Sequence, residues 1–189
     1  MAAVRVLIFH GYLLRGTGSN IYNLSLARAL AALGHEVCLL CQERAAAELD
    51  LPAGVTVVNP DIGRTLPVYV LDSYAGFDAV RFADLDDAAL DRYLDANVAA
   101  VRAAVESFRP DVALANHAVM GPAILARALG GRVPYAVKIH GSALEYTVRP
   151  EPERFLPLML EGLRGAGGVL VGSRPVSYTH LTLPTTPYV

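Results

Sequence analysis

The sequence predicts an α/β fold built on a doubly wound parallel sheet, and three observations lead there. Apolar runs of strand length alternate with longer stretches of helical period along most of the chain. The strand-like runs are hydrophobic almost without interruption, as strands covered on both faces are. A glycine-containing loop joins the first run to the first helical stretch, where sheets of this kind receive their ligands.

The elements follow in order. Residues 4–10 (VRVLIFH) read as a short strand. Residues 20–33 place Ile21, Leu24, Ala27, Leu30 and Ala31 on one helical face, and Gly34 stops that helix. Residues 36–41 (EVCLLC) form a second buried strand and residues 55–58 (VTVV) a third. Leu94, Val98, Val101, Val105 and Phe108 repeat in steps of four and three, giving the clearest apolar helix stripe in the chain. Asp84 and Asp87 supply acid near its start, and Arg109-Pro110 ends it. Strand 112–115, helix 119–129, strand 135–139, helix 154–163 and strand 168–171 complete the alternation.

Two regions break the pattern. Residues 60–82 show no clear period and hold Tyr69, Tyr74, Phe77 and Phe82. A segment of that length inside a domain is expected to be functional or poorly ordered. Residues 176–189 (VSYTHLTLPTTPYV) are Thr/Pro-rich, unlike the Ala/Arg-rich body, and resemble translated adaptor DNA. The expectation is one domain over 1–175, a non-native tail over 176–189, and a truncated gene.

Composition excludes several classes. With 189 residues, 53% hydrophobic and 18% charged, the chain has material for a sizeable core and is not disordered. A net charge of −2 leaves no electrostatic footprint for nucleic acid. The run 6–9 is too short for the core of a signal peptide, and no apolar stretch is long enough to span a bilayer. A cytoplasmic protein is the expectation.

Chemistry is sought just after each strand. His10 to Asn20 reads HGYLLRGTGSN: Gly16 and Gly18 let backbone approach a ligand, and the helix that follows offers N–H groups to an anion. Ser19 or Asn20 is expected to cap that helix. A tight turn without a ligand is the alternative. Gly11 and Gly16 have the spacing of a P-loop, but Thr17 and Gly18 follow where Lys and Ser/Thr are needed. Ile21 replaces the small residue of the dinucleotide fingerprint, although Glu43 stands where a ribose-binding acid would, so a nicotinamide reading stays open.

Asn116 and His117 follow one strand, and Lys138-Ile139-His140-Gly141-Ser142 another, with Glu145 and Tyr146 beyond. An imidazole at a strand end suits substrate recognition or proton handling; the bland alternative is a structural hydrogen bond. Cys38 and Cys41 sit three apart in a strand, facing opposite ways, and read as buried structural thiols. His10, His117 and His140 fix no metal-ligand spacing. Asp84, Asp86, Asp87 and Asp91 read as a solvated helix face.

Four segments in order, SNIYNLSLARALAALGHEV, FRPDVALANH, VPYAVKIHGS and LRGAGGVLVGSR, resemble GT-B glycosyltransferases of family 4 over residues 4–174. The resemblance implies a Rossmann-like domain, the acceptor-side half of a two-domain enzyme that moves a sugar from a nucleotide-sugar donor, generally with retention. It implies that Gly16 and Gly18 bind the donor phosphates and that His140 lines the reaction centre as a positioning group. Asn116, His117, Gly141, Ser142, Glu145 and the 69–82 segment would serve acceptor recognition. No metal or other cofactor is expected. The partners implied are the nucleotide-sugar, an acceptor glycan or small molecule, and a C-terminal donor-binding domain that this sequence lacks. A lipid-linked acceptor would add peripheral membrane association. The glycine loop departs from the family's frequent adjacent pair, and the E-x7-E spacing of Glu145/Glu153 and Glu153/Glu161 falls in the wrong domain. Alone, this half is expected to be inactive. A non-catalytic sugar- or partner-binding domain is the third reading.

Overall fold

A computed structural model describes residues 2–172, so the expectation for residues 176–189 lies outside the described residues. In chain order the elements are β1 (Arg5–Phe9), α1 (Gly18–Ala32), β2 (Glu36–Leu40), β3 (Val55–Val58), β4 (Thr65–Val68) and β5 (Asp78–Arg81). They continue as α2 (Asp87–Phe108), β6 (Val112–Asn116), α3 (Met120–Leu129), β7 (Tyr135–Ile139), α4 (Pro152–Arg164) and β8 (Gly168–Val171). Six strands form one parallel sheet in the order β3-β2-β1-β6-β7-β8. The strand order therefore reverses between β1 and β6, which opens a crevice at their C-terminal ends.

Alternation along the strands divides the core in two. Leu7, Phe9, Cys38 and Leu40 pack on one face with residues of α2, α3 and α4. Ile8, Val37, Leu39 and Cys41 pack on the other with Leu24 and Ala27 of α1. The two cysteines thus lie on opposite faces, and burial pushes their thiols up to about 11 for Cys38 and about 12 for Cys41.

The helix ends follow their chemistry. Asp86 precedes α2 and its carboxylate accepts from the Ala89 N–H at 2.6 Å. Arg109 ends α2 in the left-handed region at φ 51°, and Pro110 then prevents continuation. The acidic run is solvent-exposed, as expected from sequence, and two of its members form surface pairs: Asp84 with Arg81 at 2.7 Å, and Asp87 with Arg154 at 3.1 Å.

The aperiodic stretch 60–82 proves to be ordered. It holds β4 and β5, which pair in parallel as a separate two-stranded sheet, with Thr65 opposite Asp78 and Val68 opposite Arg81. Leu66, Val68 and Phe82 enter the larger core beside Leu90, Tyr93 and Leu94 of α2. Strands of four residues, one containing Pro67, are too short for alternation to show.

Candidate functional site at the strand ends

The crevice between β1 and β6 is filled at its floor by amides and imidazoles. His10, immediately after β1, is bonded at both ring nitrogens: Nε2 meets Asn20 Oδ1 at 2.9 Å and Nδ1 meets Asn23 Nδ2 at 3.0 Å. An amide oxygen only accepts and an amide nitrogen only donates, so His10 is the neutral Nε2–H tautomer. Asn23 and Asn116 bond each other in both directions, at 2.8 and 3.2 Å, tying α1 to the end of β6. The Asn116 amide also donates to the Phe9 carbonyl, and its oxygen faces His140 Nε2 at 3.0 Å. His140 therefore donates through Nε2, which leaves its Nδ1 lone pair for a ligand.

His117 has a different environment. Its backbone is left-handed, φ 66°, and the residue is 4% exposed, with both ring nitrogens buried and without a hydrogen-bond partner. The rings of Tyr69, His140, Tyr12 and His10 surround it at centroid distances of 4.9, 5.0, 5.1 and 6.0 Å. Tyr69 is fixed in turn, since its hydroxyl accepts from the Met120 N–H at the start of α3 at 3.3 Å.

Above this floor lies a cleft of about 310 Å³, walled by Tyr12, Tyr69, Tyr74, His117, His140 and Ser142, with Gly18 and Ser19 at one end. The first intrahelical bond of α1 runs from the Ile21 N–H to the Thr17 carbonyl, so the N–H groups of Gly18, Ser19 and Asn20 precede the ladder. No side chain caps this terminus, and no acid lies in its first turn. The expectation that Ser19 or Asn20 caps α1 is corrected: Thr17 holds the cap position, and Asn20 lies inside the helix with its amide turned to His10.

The residues singled out from sequence separate into groups. Gly18, His117, His140, Gly141 and Ser142 meet in the cleft. Gly16, at φ 89°, shapes the loop but borders an adjoining recess with Arg15, Glu43 and Glu48. Asn116 is buried beneath the cleft and holds His140 rather than lining the wall. Glu145 is not brought in; it pairs with Arg149 at 2.8 Å along its own helical turn. Of the aromatics, Tyr69 and Tyr74 line the cleft, whereas Phe77 lies under the Arg44 guanidinium at 4.5 Å. Glu43 is committed to the loop: it accepts from the Leu14 N–H at 3.2 Å and lies 3.8 Å from Arg15.

Sequence reading singled out neither Tyr12 nor Asn23, and it took Asn20 only as a helix cap. The signal was present in SNIYN, where two asparagines three apart share the inward face of an otherwise apolar helix. A second cavity of about 450 Å³, bordered by Thr65, Pro67, Arg92 and Tyr93, contains no residue from the main sheet's strand ends. Among the described residues no group of three or more His, Cys, Asp or Glu is arranged to hold a metal ion. No described helix is long and apolar enough to cross a membrane.

The site's histidines are held neutral by burial. Desolvation lowers His10 to about 4 and His140 to about 4, the latter helped by Lys138, and drives His117 well below the usual value. Unfolded histidines titrate near 6.5, so between pH 6.5 and 4 the unfolded chain binds more protons. Stability is thus full above pH 6.5 and falls as pH drops toward 4. For His10 alone the loss is on the order of 3 kcal/mol. Urea midpoints at pH 7, 6 and 5 should decline, and the decline should be visibly shallower in His10→Gln.

A family model described as a glycosyl transferase 4-like domain matches residues 17–177. No curated protein matches the sequence. Among solved structures, the fold is similar to a putative UDP-N-acetylglucosamine 2-epimerase from Listeria monocytogenes, with TM-score 0.61 at 15% identity over 99% of this chain and 44% of that one. It is similar also to UDP-GlcNAc 2-epimerase from Neisseria meningitidis bound to UDP-GlcNAc, with TM-score 0.56 at 13% identity, covering 97% and 43%. Sucrose-phosphate synthase from Thermosynechococcus elongatus matches with TM-score 0.52 at 18% identity, covering 94% and 44%. The chain therefore spans less than half the length of these three structures.

Proposed function

Because the chain belongs to the glycosyl transferase 4-like domain family, we propose that it forms the acceptor-side half of an enzyme that transfers a sugar from a nucleotide-sugar donor. One observation carries this reading: the uncapped N-terminus of α1, at Gly18 and Ser19, borders the same cleft as the ring of His140. The donor diphosphate lies against Gly18 and Ser19, where free N–H groups and the helix dipole stabilise the charge that grows as the sugar departs. The sugar lies between them and His140.

His140 serves here as a positioning residue. Its Nε2–H is pinned to Asn116, and its Nδ1 accepts from a sugar hydroxyl. A ring depressed to about 4 is neutral at pH 7, and its single N–H is weakly acidic and held by Asn116, so it does not serve as a general acid for a leaving group. In the whole enzyme a second Rossmann-like domain closes the cleft and brings the donor's nucleotide, and the acceptor-side half by itself does not turn over. Retention of configuration, the absence of a metal requirement and a cytoplasmic setting, with peripheral membrane contact for a lipid-linked acceptor, complete the proposal.

The nicotinamide alternative requires Glu43 to receive a ribose, and Glu43 is occupied within the loop. The test is a titration of the ¹⁵N-labelled chain with UDP-glucose, GDP-mannose and NAD⁺ in parallel. A sugar nucleotide should shift the Gly18 and Ser19 amides. Shifts produced by NAD⁺ alone would replace this reading with the dinucleotide one.

A further inference from the structure

One edge of the main sheet is bare. Strand β8 is the last in the order, and among the described residues it pairs only with β7. Its four residues, Gly168–Val171, contain no charge and no proline, the devices that usually keep an edge from pairing. Val169 is 39% exposed and Leu170 50% exposed, on alternate faces of the sheet. Such an edge presents a row of unpaired N–H and C=O groups to any strand that can lie against it.

The flank of α4 beside this edge is apolar as well. Gly162 packs on Pro122 and Glu161 pairs with Arg127, so that side of α4 faces α3. Leu156, Leu160 and Leu163 lie half a helical turn away from it. Crossover helices follow the order of the strands they join, which turns this flank toward the free side of β8. Leu160 packs into neither core, and a shallow groove of about 490 Å³ runs past it between Leu156 and Arg164. Glu153 and Arg164 stand at the two ends of the flank, both exposed and, among the described residues, in no ion pair.

We propose that two copies of this chain pair across a twofold axis, joining their β8 edges antiparallel into one continuous sheet and laying their α4 helices side by side. The pattern of charge selects this arrangement. Antiparallel helices bring Glu153 to the partner's Arg164 and Arg164 to the partner's Glu153, whereas parallel helices would set like charges together. In the same register Leu156 meets the partner's Leu163, and Leu160 meets its own copy at the axis. An extended peptide would complete β8 but leave the α4 leucines in water; a second copy covers both. The interface lies on the lateral edge of the sheet, so the cleft at the ends of β1, β6 and β7 stays open. The pairing does not depend on the sugar-transfer reading.

The test is sedimentation of the whole chain over about a hundredfold range of concentration, with the dimer expected to grow as concentration rises and as salt falls. Glu153→Arg and Arg164→Glu should each weaken the dimer about tenfold, because each turns two attractions into repulsions. The double variant E153R/R164E restores both pairs with their signs exchanged and should return to within about threefold of the wild type. Both positions are exposed, so these variants should keep the wild-type melting temperature. Amide hydrogen exchange along β8 should slow as the dimer forms. A chain that stays monomeric throughout overturns the proposal, and protected β8 amides in that monomer would mean that the chain's own residues cover the edge. A dimer indifferent to the charge reversals, or one whose β8 amides exchange as fast as the monomer's, overturns it too, because the contact then lies elsewhere.

Discussion

Asn116→Ala is expected to destabilise the domain by about 3 kcal/mol and lower Tm by roughly 6–12 °C. This amide joins three elements: it bonds the Phe9 carbonyl from β1, Asn23 from α1 in both directions, and His140 after β7. Truncation leaves those groups buried with too few partners, and a buried unsatisfied group costs more than a hydrogen bond gains. The same change releases His140. Its ¹⁵N ring shifts should pass from a single Nε2–H tautomer to a mixture. A loss below about 1 kcal/mol with the tautomer unchanged would mean that the network is not what orients His140.

Gly162→Ala should cost about 2–3 kcal/mol, through packing rather than chemistry. A Cβ at Gly162 would overlap Pro122 Cβ and sit 2.6 Å from the Ala123 nitrogen, backbone that cannot swing aside. Helices α3 and α4 would have to separate. That strains the Tyr135 hydroxyl bond to the Gly162 carbonyl and the Arg127–Glu161 pair at 2.8 Å. Chemical denaturation should show the loss while the His140 tautomer stays single, because Asn116 keeps its partners. Stability and ring orientation are thus separable: Asn116→Ala changes both, Gly162→Ala only the first. A wild-type midpoint in Gly162→Ala would contradict the close approach.

The elements of the main sheet were legible because their signals are local and long. The six strands of the main sheet, with their apolar runs, and α2 with its stripe from Leu94 to Phe108, need no tertiary context to be seen. β4 and β5 were not legible, since four residues around Pro67 give alternation nothing to act on. Within the site, position on a strand end was enough to find His117 and His140. Glu145 was misplaced because its neighbourhood in sequence is not its neighbourhood in space; Arg149, one helical turn on, claims it. The asparagine network escaped because its members lie 93 residues apart, Asn23 on α1 and Asn116 on β6, and polar residues show no period. The orphaned state of His117 is invisible in any sequence, because it depends on what does not approach the ring.

The most direct test of the central claim, that sugar and diphosphate meet in the cleft at the ends of β1, β6 and β7, is where a bound sugar nucleotide lies. Intermolecular NOEs on the labelled chain with UDP-glucose and GDP-mannose would give that position. Contact is expected between the transferred sugar's anomeric proton and the His140 ring, with the phosphates at Gly18 and Ser19. A nucleotide lying instead in the recess of Arg15, Glu43 and Glu48, with its sugar distant from His140, would contradict it.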